Sequence, residues 1–262
     1  MTRPRTAKAA SPRVSETRAA RLPVWIPLAI ALVTIAAMAP SLQNGFTNWD
    51  DPEYVLENHL IRDLSPSGLA AIGTSFLDGN YHPLTVLSLA LDYRFGGLDP
   101  SGYHRTNLAI HVLATLAVFW LVLLLTGSRE LSTFVALFHG VHPMHVESVA
   151  WVTERKDLLY GLFYFLACAS YVIWLRGDRR KPLAYAATVL FFVLSLLSKG
   201  MAVTLPLALL AIDFLLERKW SWKAQAAEKA PFFALALGFG ILAVIAQRSE
   251  GAVQEIARFP LH

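Results

Sequence analysis

Residues 107–125 read NLAIHVLATLAVFWLVLLL, and they include no Asp, Glu, Lys or Arg. A helix that crosses a bilayer needs about 20 apolar residues, so this stretch has the length and composition of a membrane span. In the whole chain of 262 residues, 55% are hydrophobic and 16% are charged, whereas a soluble domain has about 25% charged residues. These figures exclude a soluble globular enzyme, a disordered protein, a coiled coil and a disulfide-rich secreted domain. The single cysteine, Cys168, cannot form an internal disulfide.

Similar apolar blocks recur along the chain, and they predict an all-α polytopic membrane protein with about seven transmembrane helices. In chain order, the blocks are residues 22–42, 107–125, 131–146, 158–175, 182–198, 201–216 and 230–247. The third, fifth and sixth blocks are shorter than a typical span, so they could be less tilted or partly re-entrant. The first block has a longer apolar run than a signal peptide, and we interpret it as a retained span.

Lysine and arginine are distributed unevenly among the segments that join these blocks. If the N-terminus is cytoplasmic, the cytoplasmic segments are 1–21, 127–130, 176–181 and 217–229, which hold 15 of the 23 Lys and Arg residues. Segment 43–105, on the other side, holds eight Asp and Glu against three Arg. This asymmetry fits the positive-inside rule and explains the basic pI without nucleic acid. Residues 1–21 are predicted to be a disordered basic cytoplasmic tail, and residues 22–262 a membrane domain.

The predicted outer loop, residues 43–106, is far longer than a helical hairpin needs, and loops of this length are usually functional or disordered. Its many aromatic residues favour a folded segment. Residues 67–77 follow Ser65 and Pro66, which are suited to capping and starting a helix. Residues 83–95 have the periodicity of an amphipathic helix, which suits the bilayer surface. We therefore expect a folded layer that carries helices over the membrane domain.

The first candidate for chemistry is the acidic pair Asp50 and Asp51, directly after the first span. Two adjacent carboxylates repel each other, so one of them can be less acidic than a free Asp. A carboxylate that is partly shielded from water could act as a general base towards a hydroxyl group. The alternative interpretation is a solvated turn that caps a helix.

A second candidate is the stretch from His139 to Asp157, which contains His142, His145 and Glu147. Histidines and a carboxylate raise the possibility of zinc, but no His-Glu-x-x-His motif is present, and we expect no metal. The four charges from Glu154 to Asp157 could pair among themselves at a helix end. Alternatively, Arg155 and Lys156 could hold a phosphate, because cations at a membrane boundary are costly unless they are used.

Other polar residues are predicted to lie at the same membrane face. Lys199, between two apolar blocks, either extends its ammonium group towards water or binds an anion. His82, His104 and Arg105 belong to the predicted outer loop. Acids, histidines and cations that gather at one face beside lipid suit a substrate with an apolar tail and an anionic head, such as a lipid-linked phosphosugar.

The chain contains, in this order, the motifs FTNWDDPEYV (46–55), YHPLT (81–85), GYHRTNL (102–108), HPMHVESVAW (142–151), ERKDLL (154–159) and SKGMAVTLP (198–206). Together they resemble the motifs of one family, the transmembrane and tetratricopeptide-repeat O-mannosyltransferases of the glycosyltransferase C superfamily, and in particular their bacterial members. The resemblance implies a glycosyltransferase C fold and transfer of a hexose, such as mannose, from a polyprenyl phosphate to Ser or Thr hydroxyls of proteins, with inversion. It also implies that no cofactor or obligatory metal is needed, and that Asp50 or Asp51 is the base, with Asp50 favoured.

The resemblance has two departures. Gly200 stands where relatives have Pro, and the chain ends before the further helices and repeats of the family, which indicates a truncated member. The resemblance and the charge asymmetry together place the site at the periplasmic side of a bacterial inner membrane. The substrate-binding residues are predicted to be His82, His104, Arg105, His142, His145, Glu147, Arg155, Lys156 and Lys199. The alternatives are transfer to a lipid or polysaccharide, a transporter, and a non-catalytic membrane scaffold.

Overall fold

A computed structural model describes residues 22–177, 182–219 and 221–249. Within these ranges the regular structure is helical and contains no β-strand. The predicted disordered tail 1–21, the basic residues 179–181 and the last residues 250–262 lie outside the described ranges. The α-helices are α1 (Trp25–Met38), α2 (Pro66–Thr74), α3 (Pro83–Gly96), α4 (Pro100–Thr126), α5 (Arg129–Val141), α6 (Val146–Ala150), α7 (Arg155–Arg176), α8 (Pro182–Ser198), α9 (Leu205–Leu215) and α10 (Trp222–Ser249).

The stretch 107–125 lies inside α4, and local sequence signals set both ends of this helix. Asp99 caps the N-terminus by accepting a hydrogen bond from the Ser101 backbone, and Pro100 occupies the first turn. Gly127 ends the helix with a φ of 72°, a left-handed conformation that glycine adopts without steric cost. Short polar and glycine signals therefore bound a long apolar helix.

Four helical segments of the described chain are long and apolar enough to cross a membrane: Trp25–Gln43, α4, α7 and α10. They contain the second, fourth and seventh predicted blocks and residues 25–42 of the first. The other three blocks form the shorter helices α5, α8 and α9, of 13, 17 and 11 residues. The all-helical membrane architecture is thus supported with four candidate spans, and a total of seven stays a prediction.

Helix α7 lies at the centre of the bundle. One apolar core joins it to α8, α9 and α10 through Tyr171, Phe192, Leu209 and Phe232. A second core joins its first turns to α4 and to the end of α1. Because α7 packs on both sides, it holds the residues at its N-terminus, 154–157, in fixed positions relative to the rest of the fold.

A buried ionic network joins α7, α9 and α10 near the opposite end of the bundle. Lys229 Nζ lies 2.5 Å from Asp213 Oδ2, and both side chains are almost wholly buried. The Tyr171 hydroxyl donates to Asp213 at 2.7 Å and accepts from Lys229 at 2.7 Å. Arg218 forms a bidentate pair with Glu228 at 2.6 and 2.7 Å. Buried charges need partners of this kind, because their desolvation is otherwise uncompensated.

The 43–106 loop is folded, as its composition indicates. Ser65 caps α2 by accepting from the Gly68 backbone, so this part of the prediction is confirmed. Helix α3 covers the second predicted helix, but its polar side chains face protein. The Thr85 hydroxyl donates to the Ser198 carbonyl at 3.0 Å, while Phe95 is 88% exposed. The polar face of α3 therefore packs against the helical bundle and does not face water, as an amphipathic surface helix would.

Candidate functional site

Asp51 is completely buried, and its carboxylate is saturated with hydrogen bonds. It accepts from the Thr47 backbone at 2.7 Å and from the Thr47 hydroxyl at 3.1 Å. It also accepts from the Thr153 backbone at 3.1 Å and from the Thr153 hydroxyl. Asp51 therefore fastens the start of the 43–106 loop to the segment that precedes α7.

Asp50 lies in a different environment from its neighbour. Its side chain is 21% exposed, and Oδ2 lies 3.5 Å from Lys156 Nζ. Its backbone carbonyl accepts from the Tyr54 N–H at 3.0 Å, at the start of the short helix Pro52–Leu56. Asp50 thus keeps an accessible carboxylate on a fixed backbone, as a general base requires.

Asp50 begins a row of alternating charges that continues along the N-terminus of α7. Lys156 Nζ lies 2.9 Å from Glu154 Oε1, and Lys199 Nζ lies 3.8 Å from Glu154 Oε2. Lys199 Nζ then lies 2.5 Å from Asp157 Oδ1. We call Asp50, Lys156, Glu154, Lys199 and Asp157 the charge row. Burial, reinforced by a hydrogen bond with Asp157, raises the pKa of Glu154.

Both lysines of the charge row line a small cavity of about 70 Å³, the lysine cavity. His82 also lines it, and the remaining walls include Asn80, Gly200 and Gln247. His82 is 3% exposed, and its Nε2 has no hydrogen-bond partner. Burial, with the charges of Lys156 and Lys199, lowers the pKa of His82 to about 3. An unpaired buried polar atom is costly, so its position beside two ammonium groups indicates a place for a ligand.

Arg155, next to Lys156 in the chain, faces the protein interior. Its side chain is wholly buried, and it lies 2.5 Å from Asp92 of α3. It donates to the Asn107 amide oxygen at 2.7 Å and to the Tyr103 carbonyl at 2.9 Å, both on α4. Its donors therefore connect α3, α4 and α7, and the structure does not bring Arg155 into the lysine cavity.

Three other predicted residues also lie outside the lysine cavity. His104 is buried, with Nε2 3.4 Å from the Gly45 carbonyl. Arg105 is exposed, and its guanidinium lies 4.0 Å from the carboxylate of Asp99, the N-cap residue of α4. Glu147 is exposed on the short helix α6.

The last two predicted histidines lie near a second cavity. His142 Nδ1 accepts from the Met144 backbone at 3.2 Å, so it caps a single helical turn. His145 lines a cavity of about 240 Å³ together with His111 and His139. We call it the histidine cavity, and Asp157 of the charge row forms part of its wall. Among the described residues, no group of three or more His, Cys, Asp or Glu is arranged to hold a metal ion.

His111 and His139 were not among the predicted substrate-binding residues, although His139 begins the second candidate stretch. His111 is an isolated histidine in an apolar helix, which is more often a core residue than a ligand. His139 precedes His142 and His145 at a spacing of three, and that repeat was the available signal. Their proximity depends on the packing of α4 against α5, which the sequence does not reveal locally.

Known proteins with similar sequences are named as protein O-mannosyl-transferases. The chain is 34% identical over 179 residues to protein O-mannosyl-transferase Tmtc1 of Drosophila melanogaster, covering 63% of this chain and 20% of that protein. It is 30% identical over 194 residues to human TMTC4, covering 66% and 26%, and 33% identical over 159 residues to human TMTC3, covering 56% and 16%.

The chain therefore spans about a quarter or less of the length of these curated relatives. No protein-family model matches the chain, and no solved structure matches it. The sequence similarity nevertheless shows that about half of this chain is homologous to the TMTC protein O-mannosyl-transferases.

Proposed function

We propose that this chain is the site-bearing part of a membrane glycosyltransferase that moves a hexose, such as mannose, from a polyprenyl phosphate to Ser or Thr hydroxyls of a protein. The relatives are named as protein O-mannosyl-transferases, which supports the reaction class. The observation that carries the proposal is the position of Asp50, which lies 3.5 Å from a lysine of a cavity with an unpaired buried histidine.

In the proposed reaction, the acceptor hydroxyl attacks the anomeric carbon of the hexose in line with the phosphate. A carbon–oxygen bond to the acceptor forms while the carbon–oxygen bond to the phosphate breaks, which inverts the anomeric centre. Asp50 takes the hydroxyl proton, and the polyprenyl phosphate leaves with the electron pair of the broken bond. Lys156 and Lys199 stabilise the negative charge that develops on the phosphate, and His82 positions one of its oxygens.

The affinity of the charge row for a phosphate should depend on the protonation state of its carboxylates. With every member ionised, three carboxylates outnumber two ammonium groups, so an added anion meets net negative charge. Glu154 has a raised pKa, and its protonation leaves the row neutral. We therefore assign Glu154 a positioning role, in which it holds both lysines and gives up its negative charge when the phosphate binds.

Asp51 and Arg155 have structural roles in this proposal, because their polar atoms are already engaged within the fold. The charge asymmetry of the connecting segments supports a cytoplasmic N-terminus and a site on the opposite face, the periplasmic face in a bacterium.

The test is transfer from polyprenyl phosphate mannose to a Ser- and Thr-containing peptide, measured with membranes that contain the chain. Asp50→Asn should lower transfer by about 100-fold or more while the protein remains folded and inserted. Asp63→Asn, an exposed carboxylate of the same loop, serves as the matched control and should retain transfer. Full transfer by the Asp50→Asn variant would contradict the assignment of the base.

A further inference from the structure

We propose that the histidine cavity binds the hexose of the lipid-linked donor, an inference that rests on the proposed function. The cavity, of about 240 Å³, lies among α4, α5 and α7. Its volume is below the usual range for drug-sized ligands, which suits a single sugar ring. Its lining includes His111, His139, His145, Asp157, Tyr160 and Phe165.

The hydrogen bonds fix the role of His139. The Thr115 hydroxyl has one proton, which it donates to the His111 carbonyl at 2.9 Å. His139 Nδ1 lies 3.2 Å from the same hydroxyl oxygen, so Nδ1 must be the donor in that pair. A neutral imidazole with its proton on Nδ1 has an acceptor at Nε2.

The hydrogen bond of His111 likewise determines which of its ring nitrogens carries the proton. Its Nε2 lies 3.0 Å from the Gly140 carbonyl, and a carbonyl can only accept. Nε2 therefore donates, and the other nitrogen of a neutral His111 is an acceptor. Ring centroids of His111, His139 and His145 lie 4.4 to 5.6 Å apart, and like charges at that separation are unfavourable, so neutral rings are expected.

The remaining polar groups of the cavity thus select the chemistry of its ligand. Two imidazole acceptors and the Asp157 carboxylate offer lone pairs, and the hydroxyls of Ser148 and Tyr160 can both donate and accept. An ionised phosphate is disfavoured there, because the described residues that line the cavity include the Asp157 carboxylate and neither Lys nor Arg. A hexose has several hydroxyl protons to donate, and Tyr160 and Phe165 provide an aromatic wall for its less polar ring face.

One ion pair connects this cavity with the lysine cavity. Asp157 lines the histidine cavity, Lys199 lines the lysine cavity, and their charged atoms are 2.5 Å apart. A sugar phosphate has the same order of groups, with a neutral ring directly bonded to an anion. The two cavities therefore match the two halves of the donor.

The experiment compares two ligands, polyprenyl phosphate with and without mannose, in binding measurements on the detergent-solubilised chain. His139→Phe keeps a planar ring and removes the acceptor nitrogen. We expect this variant to bind the mannose-bearing carrier about tenfold more weakly and the bare carrier unchanged, as loss of a buried hydrogen bond predicts. Lys199→Gln should weaken the binding of both carriers.

Controls separate this inference from the proposed function. His59→Phe makes the same change at an exposed histidine and should alter neither affinity, and His145→Phe repeats the test if the first variant fails to fold. Equal affinity of the unsubstituted chain for both carriers, or equal losses for both carriers in His139→Phe, would overturn the hexose assignment and leave the phosphate site standing. Failure of the unsubstituted chain to bind either carrier would overturn both proposals.

Discussion

Asp50 and Asp51 are consecutive carboxylates with opposite surroundings: Asp51 accepts four hydrogen bonds from Thr47 and Thr153, whereas Asp50 faces Lys156 across 3.5 Å. The difference separates their roles. The Asp51 carboxylate is fully engaged in hydrogen bonds that hold the fold together, whereas the Asp50 carboxylate remains available to accept a proton.

The first prediction concerns this pair. Asp50→Asn should lower the turnover of the proposed reaction about 10²- to 10⁴-fold, the usual contribution of general-base catalysis, with little change in thermal stability. Asp51→Asn should lower the free energy of unfolding by about 2 kcal/mol or more, because charge-assisted hydrogen bonds are lost in a buried site. Turnover per folded molecule and melting temperature in detergent measure the two effects. If Asp51→Asn lowered turnover and Asp50→Asn lowered stability, Asp51 would be the base and Asp50 the structural residue.

The second prediction concerns the Arg155 cross-link. Arg155→Met should destabilise the chain by about 3–5 kcal/mol, because it leaves Asp92 partly buried without its cation. The double variant Arg155→Met with Asp92→Leu should recover much of that loss, because the uncompensated charge is then removed. Melting temperatures of the unsubstituted chain, the two single variants and the double variant provide a double-mutant cycle. Strictly additive losses would argue against direct coupling.

The third prediction concerns Lys229 and Asp213, which lie near the end of the bundle opposite the candidate site. Lys229→Met should destabilise the chain by about 3 kcal/mol, because the buried Asp213 would lose its nearest cation and, among the described residues, keep only Arg218 at 3.4 Å. Lys219→Met, which removes an exposed lysine between α9 and α10, is the control and should have little effect. Transfer per folded molecule should be unchanged in both variants.

The fourth prediction concerns pH. Because burial raises the pKa of Glu154, the folded chain holds this proton at pH values where the unfolded chain has lost it. The stabilising contribution is therefore complete below the ordinary pKa of Glu and declines as the pH rises through the raised value. Affinity for a phosphate ligand should decline in the same direction, as Glu154 becomes charged.

Glu154→Gln provides the control for this pH dependence. It removes the titrating carboxyl and keeps its size, so the decline in affinity should flatten. Measuring affinity for polyprenyl phosphate across this pH range in both proteins gives the comparison. An unchanged slope in the variant would assign the dependence to another group.

Much of the fold could be predicted from local patterns. The long charge-free blocks indicated α4, α7 and α10, and Ser65 with Pro66 marked the start of α2. Propensity and capping act over a few residues, so the sequence displays them directly. The lengths of α5, α8 and α9 were less predictable, because hydropathy does not show where a helix breaks within an apolar block.

The candidate site was predictable in composition and less so in detail. The sequence placed Asp50, His82, Lys156 and Lys199 at one membrane face, and the structure brings them together around the charge row and the lysine cavity. The sequence alone could not distinguish Asp50 from Asp51. Their difference depends on Thr153, which bonds to Asp51 and lies 102 residues away in the chain. The inward direction of Arg155 likewise depends on contacts with two other helices.

The hydrogen bond from Thr85 to the Ser198 carbonyl joins residues 113 positions apart. During synthesis, α3 therefore cannot acquire this partner until the end of α8 has left the ribosome. The layer above the bundle therefore acquires this contact only after α4 to α8 have been made. Nascent chains that end before residue 198 should accordingly show protease-sensitive sites in α3, and longer chains should lose them.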